Sequence, residues 1–443
     1  MLTLTVNEIP RLATDGGPTT DFFLSHPYLV VWSENQVDVW KFVEKHLTHI
    51  STLEELIDKP YTLKPALDHT RALFILPEPI RVGPTRLCVF DLPTGRLLRS
   101  IDVPNLYADS EMLYREEDAR ALVTVVVGQN PNRMTEPYGT TLLLEVDVLA
   151  GTSHNPRSLP ADLISREAER NIPPQVLEPC FFEHTTGFVA SSTTRWLGKV
   201  ELLAWLPEDN QRQPTHRREL RPDQVAHCKA MLPRRHLALD AHTLVLATHL
   251  SGGPSTTEMT LIHALSVPGL ETRWEADPIP GQVESLDYVP ALEVVVVTSD
   301  HDVTDHAERT DDALRFRRLV VLLDARTGER RAMDFLDSEV QGAYVLSCHV
   351  FGGRIAVVCD NGEVLVVSVA DFLANGFGKE GGDDEKVVMQ AVFPGNVIAA
   401  GLGEREIVAV AGVRKHPVIS ENGSESDRPE WEEEEGSVLY AGF

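Results

Sequence analysis

Positive charge is scarce in this sequence. Forty Lys and Arg stand against sixty-seven Asp and Glu, a net charge of −27, the wrong sign for a phosphate backbone or an anionic leaflet. Neither nucleic acid nor a membrane surface is an expected partner. Long apolar runs are missing as well. None approaches the ~20 residues of a membrane span, and Glu8 stands where the apolar core of a signal peptide would have to continue. The five cysteines, Cys88, Cys180, Cys228, Cys348 and Cys359, are odd in number and widely spaced, with no Cys-x-x-Cys pair. Most lie in apolar runs, which reads as buried reduced thiols in a cytoplasmic or nuclear protein. The sequon Asn422-Gly423-Ser424 means nothing without a secretory signal.

Catalytic signatures are also lacking. There is no Gly-x-Ser-x-Gly and no His-Glu-x-x-His. Gly376-Phe-Gly378-Lys379 lacks the spacing and the following Ser or Thr of a phosphate loop. Gly401-Leu-Gly403 has no third glycine and reads as a hairpin turn. No cofactor is expected. The one grouping with metal-ligand character is Asp300-His301-Asp302 followed by Asp305 and His306. It offers hard and borderline donors at close spacing, without the Gly and terminal Glu of a calcium loop or the regular spacing of a zinc site. A solvated acidic loop is the competing reading. Helical signals are confined to Ala161–Arg170 after Pro160 and to Arg221–Met231, both expected as surface insertions.

Short apolar runs rich in Val, Leu and Ile fill the rest, such as Tyr28–Trp32, Ala121–Val127, Leu292–Val297 and Arg354–Cys359. They are strand-length and β-branched. Twenty-nine Gly and twenty-nine Pro supply turns between them. The most regular unit is an apolar strand, a turn and a more polar strand. Its clearest copies are Leu87–Asp91 running into Thr94-Gly95, and Leu319–Asp324 running into Thr327-Gly328. Asp hydrogen-bonds the turn backbone, and Gly accepts the positive φ that closes it. Weaker copies are Gln36–Phe42, Leu142–Gly151, Leu202–Asp209, Leu261–Gly269 and Val364–Asp371. Anchored on the residue before the Asp position, the copies fall at Trp40, Phe90, Val146, Trp205, Ala264, Leu323 and Val367, with separations of 50, 56, 59, 59, 59 and 44. Two further strands fit upstream of each anchor, so the repeat is a four-stranded unit of propeller-blade length.

With that repeat the chain resembles the WD40-type β-propellers over nearly its whole length, including the divergent propeller regions of fungal F-box proteins. The Asp-x-x-Thr-Gly turn appears cleanly twice, and Trp occupies the anchor twice. The Gly-His dipeptide of such repeats is absent. The resemblance implies an all-β, single-domain propeller over residues 1–443. Seven anchors leave an N-terminal strand, Leu2–Val6, and three C-terminal ones, Asn396–Gly401, Glu406–Gly412 and Ser437–Phe443. Joined, these make an eighth blade that closes the ring, so eight blades are expected rather than seven. Three acidic segments, 300–312, 378–386 and 421–435, sum to −5, −2 and −7, about half the net charge, and are expected as loops within the domain. Short basic clusters at Arg217-Arg218, Arg234–His236 and Arg315–Arg318 read as solvated or blade-edge residues, and Trp32, Trp40 and Trp205 as packing between blades. The implied role is a non-catalytic platform or substrate receptor that binds other proteins. The alternative is a lactonase-like propeller enzyme whose residues converge in a central channel from distant strands.

Overall fold

The computed structural model describes residues 2–3, 6–8, 19–25, 27–33, 37–43, 46–53, 66–67, 71–76, 85–103, 112–115, 119–127, 140–158, 175–182, 185–192, 199–205, 214–220, 230–251, 259–302, 316–336, 339–340, 343–359, 363–377, 389–392, 396–402, 406–412 and 437–442. Their strands make eight sheets. Sheet 1 is Thr19–Ser25, Tyr28–Ser33, Val37–Val43 and His46–Thr52. Sheet 2 is Ala66–Leu67, Arg71–Leu76, Thr85–Asp91 and Leu97–Val103. Sheet 3 is Met112–Arg115, Arg120–Val127, Thr140–Asp147 and Thr152–Ser158. Sheet 4 is Gln175–Phe182, Thr185–Ser192, Lys199–Trp205 and His216–Leu220. Sheet 5 is Ala230–Asp240, Thr243–Ser251, Met259–Ser266 and Thr272–Glu275, with Ile279–Pro280 also on the third strand. Sheet 6 is Gln282–Val289, Val294–Asp302, Phe316–Asp324 and Arg330–Leu336. Sheet 7 is Ala343–Phe351, Arg354–Cys359, Glu363–Ser368 and Met389–Val392, flanked by Glu339–Val340 and Leu2–Thr3. Sheet 8 is Asn396–Leu402, Glu406–Gly412, Ser437–Gly442 and Val6–Glu8.

All seven anchor residues lie on the third strand of a sheet, and all are buried. Two compact units contain the sheets: 1–59, 92–95 and 336–443, and 60–91 with 96–335. Within the second unit the first strands of sheets 2 to 6 touch in chain order. Within the first unit, Asn396–Leu402 touches both Ala343–Phe351 and Thr19–Ser25. Within the second unit, sheets 4, 5 and 6 pack face to face. Val245, Ala247, Ile262 and Ala264 of sheet 5 cluster with Val295, Val297, Leu319 and Val321 of sheet 6. Leu246, Leu250, Leu261 and Leu265 of sheet 5 cluster with Leu202 and Ala204 of sheet 4. A strand covered on both faces has no polar face to alternate with, which is why these segments read as unbroken apolar runs. Each buried side chain contributes ~1.5–3 kcal/mol.

The turn between third and fourth strands follows the expected chemistry. Asp324 Oδ1 accepts from the N–H groups of Arg326 (2.9 Å) and Thr327 (3.0 Å), and Gly328 closes the turn at φ 72°. Burial works to raise the Asp324 carboxyl. The Arg326 and Thr327 N–H groups and the Arg331 guanidinium outweigh it and hold the group below the usual carboxylate range. Asp147 accepts from the Ala150 N–H in the same way, at 2.7 Å. In sheet 5, Ser266 takes the place of Asp, its Oγ accepting from the Glu271 N–H at 3.0 Å, and the positive φ of 60° falls on Leu270 rather than on Gly269.

Each of these turns is seated on the outer strand that precedes it in the chain, a contact no local pattern announces. Trp274 Nε1 donates to the Ala325 carbonyl at 3.0 Å, and its ring lies against Gly328. Arg218 donates to the Leu270 carbonyl and, at 2.6 Å, to Thr272 Oγ1. Arg99 reaches the Ala150 carbonyl at 3.3 Å, and Ser51 Oγ donates to the Leu92 carbonyl at 2.7 Å.

Several expectations are corrected. The N-terminal strand is two pieces: Leu2–Thr3 runs parallel to Met389–Val392, and Val6–Glu8 pairs antiparallel with Ser437–Gly442. The copy at Val364–Asp371 has no Asp turn. Its strand ends at Ser368, and a helix, α1 (Val369–Asn375), follows. Ser368 Oγ accepts from the Asp371 N–H at 3.0 Å, a side-chain N-cap. Ala230 and Met231, read as a helix end, open the strand Ala230–Asp240. The remainder of that helix and Ala161–Arg170 lie outside the described residues. Gly401 belongs to the strand Asn396–Leu402 rather than to a turn, and Gly403 lies outside the described residues.

Candidate interaction surface

In sheets 2, 3, 5, 6 and 8 the first-to-second connection is shorter than the second-to-third. At one end the first-to-second strand connections are two to four residues, as at 183–184, 241–242, 290–293 and 352–353. At the other, the second-to-third connections reach lengths such as 128–139, 303–315 and 413–436. The short end is where the Asp turns are seated, so sheets 3 and 6 are fastened at one end and carry their long connections at the other, whereas sheets 4 and 7 have their longer connections, 206–215 and 369–388, at the end of the third-to-fourth turns. Two of the acidic segments, the greater part of 300–312 and all of 421–435, fall in long connections of sheets 6 and 8. The third, 378–386, joins α1 to Met389–Val392 in sheet 7.

At the long-loop end of sheets 5 and 6 the apolar strands finish in buried hydroxyls. Thr260 Oγ1 donates to the Gly281 carbonyl at 2.7 Å and Ser299 Oγ to the Pro280 carbonyl at 2.9 Å, tying down the crossover between the sheets. Ser285 and Thr298 share a hydrogen bond of 2.6 Å. Arg318 reaches Glu284 at 2.6 Å and also pairs with Asp300. These groups satisfy buried backbone that would otherwise be costly. They form a rigid polar base from which the connections 252–258 and 303–315 depart. Sequence reading passed over Thr260, Thr298 and Ser299, although hydroxyl residues closing apolar runs beside long insertions are their signal.

Three of the five sequence-predicted site residues are described, side by side on the second strand of sheet 6. Asp300 is engaged by Arg318; His301 and Asp302 continue the strand opposite Arg317 and Phe316; Asp305 and His306 lie outside the described residues. Among the described residues no three His, Cys, Asp or Glu side chains come together as a metal site. Of the basic residues, Arg217-Arg218 sit on the outer strand of sheet 4, Arg234–His236 on the first strand of sheet 5, and Arg317-Arg318 on the third strand of sheet 6. Trp40 and Trp205 are buried, and Cys88, Cys348 and Cys359 are buried outside any disulfide. Sheet 1 carries a cluster the sequence did not suggest. A bulge between the pairs Val39↔Ser51 and Trp40↔His49 turns both His49 and Thr52 onto Asp38. Asp38 Oδ1 accepts from Thr52 Oγ1 at 2.6 Å and lies 3.3 Å from His49 Nε2, which satisfies a buried carboxylate.

No family model matches the chain, and no curated protein matches it. Solved structures do match. The Dos1 propeller is similar at TM-score 0.53 and 9% identity, over 99% of this chain and 94% of that one. A europium-containing methanol dehydrogenase is similar at TM-score 0.51 and 12% identity, over 99% and 93%. The computationally designed Ika8 protein is similar at TM-score 0.51 and 12% identity, over 91% and 96%. The fold is a β-propeller. Among the described residues no helix is long and apolar enough to cross a membrane.

Proposed function

We propose that this propeller is a protein-interaction platform that engages other proteins through the second-to-third strand end of its sheets. The observation that carries the reading is the asymmetry of the sheets. Seated turns fix one end of sheets 2, 3, 5 and 6, while in sheets 5 and 6 buried hydroxyls and the Arg318 ion pairs give the other end a polar base for connections of variable length and composition. We take the eight sheets as eight blades of one domain, closed where Val6–Glu8 meets Ser437–Gly442. Buried thiols outside disulfides suit a reducing cytoplasmic or nuclear setting. The similarity to a methanol dehydrogenase is a similarity of fold, and fold alone does not assign chemistry.

The test replaces 128–138 and, separately, 251–258 with Gly-Ser segments of equal length and compares proteins recovered by affinity capture from a lysate. Partner recovery should change for at least one replacement, with stability held within about 0.5 kcal/mol. Unchanged recovery across all the long connections would overturn the reading.

A further inference from the structure

An ionisable side chain interrupts the apolar layer between sheets 4 and 5. Leu202, Ala204, Leu246, Leu261, Leu265 and Leu270 build that layer. His263 stands between Leu261 and Leu265 on the third strand of sheet 5, opposite Leu246 in register, and only 6% exposed. Strand alternation gives it the same face as those two leucines. Its Nδ1 is 3.4 Å from Glu275 Oε2 on the outer strand. Its Nε2 is buried, with no hydrogen-bond partner among the described residues. The charged groups that act on it are Glu275 of its own sheet and Arg218 of sheet 4, the residue that clamps the turn ending at Leu270.

We propose that this layer is a proton-sensitive joint, in which neutral His263 lets Arg218 hold the sheet 5 turn and proton uptake at Nε2 loosens the two sheets. With Nδ1–H directed at Glu275, Nε2 is the open base. A proton there finds no acceptor among the described residues and places a second cation beside Arg218. The proton comes from solvent, and no other reactant is needed. Burial is the largest influence on the ring and lowers its pKa below the ordinary value of 6.5; Arg218 lowers it further, and together they outweigh the opposing pull of Glu275. The open joint therefore binds the proton more readily than the closed one. Closure is fully stable above pH 6.5 and weakens as the pH falls below it. The inference does not depend on the interaction reading above.

Hydrogen exchange at pH 7.5 and 5.5, corrected for intrinsic rates, tests it. Protection of Lys199–Trp205 and Met259–Ser266 should fall roughly three- to tenfold at the lower pH, up to tenfold per pH unit for one proton. Protection of Phe316–Asp324 in sheet 6 should hold, and in His263→Gln the fall should vanish. No fall in the parent, or the same fall in His263→Gln, would overturn the proposal. A readout independent of the variant's folding is the imidazole titration of the parent by NMR. A midpoint below 6.5 that drops further in Glu275→Gln supports the joint, and a midpoint at or above 6.5 rejects it.

Discussion

Gly328 and Gly352 share a left-handed backbone, φ 72° and 56°, in different surroundings. A Cβ on Gly352 would meet nothing within 4 Å, whereas one on Gly328 would run into the Trp274 ring, 2.8 Å from Cδ2. Alanine at either position carries left-handed strain of ~1–2 kcal/mol. At Gly328 overpacking adds a further ~1–3 kcal/mol. Denaturant unfolding should therefore rank Gly328→Ala well below Gly352→Ala in stability, and equal losses would mean that the turn is not seated on Trp274. The glycine was legible in the sequence because turn chemistry is local, an Asp and a Gly four residues apart. Its partner was not, because Trp274 lies 51 residues from the Ala325 carbonyl it holds. The same distance hid the environment of His263, which depends on an arginine from another sheet.

At the scale of the element, the outer strand is the part that sequence conceals. Ser51, Arg99, Arg218 and Trp274 make equivalent contacts with different chemistry: a hydroxyl, two guanidinium groups and an indole. Only a donor of suitable reach is required, so the blades repeat in structure without repeating a motif there. The third strands are the opposite case. Buried on both faces, they are largely apolar, and the anchors stand out from those runs together with the turn position that follows each. Trp274→Phe keeps the packing and removes the Nε1 hydrogen bond, and should cost about 1 kcal/mol. Trp274→Ala should cost ~3–5 kcal/mol. It should also abolish most of the overpacking in Gly328→Ala, so a double-mutant cycle between the two should show coupling of ~1–3 kcal/mol. Additive losses would place the ring elsewhere. The helix α1 escaped the sequence reading because Ser368 and Asp371 serve a cap as readily as a turn.

For the whole molecule, the period of the anchors exposed the fold, whereas the pairing of the termini could be read only as leftover strands seeking partners. Ser437–Gly442 pairs on one side with Glu406–Gly412 and on the other with Val6–Glu8. Removing 437–443 strips sheet 8 of its third strand and leaves two edges unpaired, so aggregation or a strongly lowered Tm is expected. Replacing 421–435 with a short Gly-Ser bridge removes eight carboxylates and one Arg. It should leave Tm unchanged or slightly raised through relief of repulsion. A normal Tm for the truncated protein would show that the terminal pairing is dispensable.

The pairing of Val6 with Ala441 also sets a schedule for synthesis. The strand Val6–Glu8 is made on the order of 430 residues before its partner. At roughly 5–20 residues per second, the ribosome keeps that strand waiting for about 20–90 s. The sheets between can form as they emerge, since each is a local meander, but sheet 8 cannot. A nascent chain arrested before residue 437 would hold a row of unsatisfied backbone donors and acceptors at Val6–Glu8, a surface on which a chaperone, or a neighbouring nascent chain, can act.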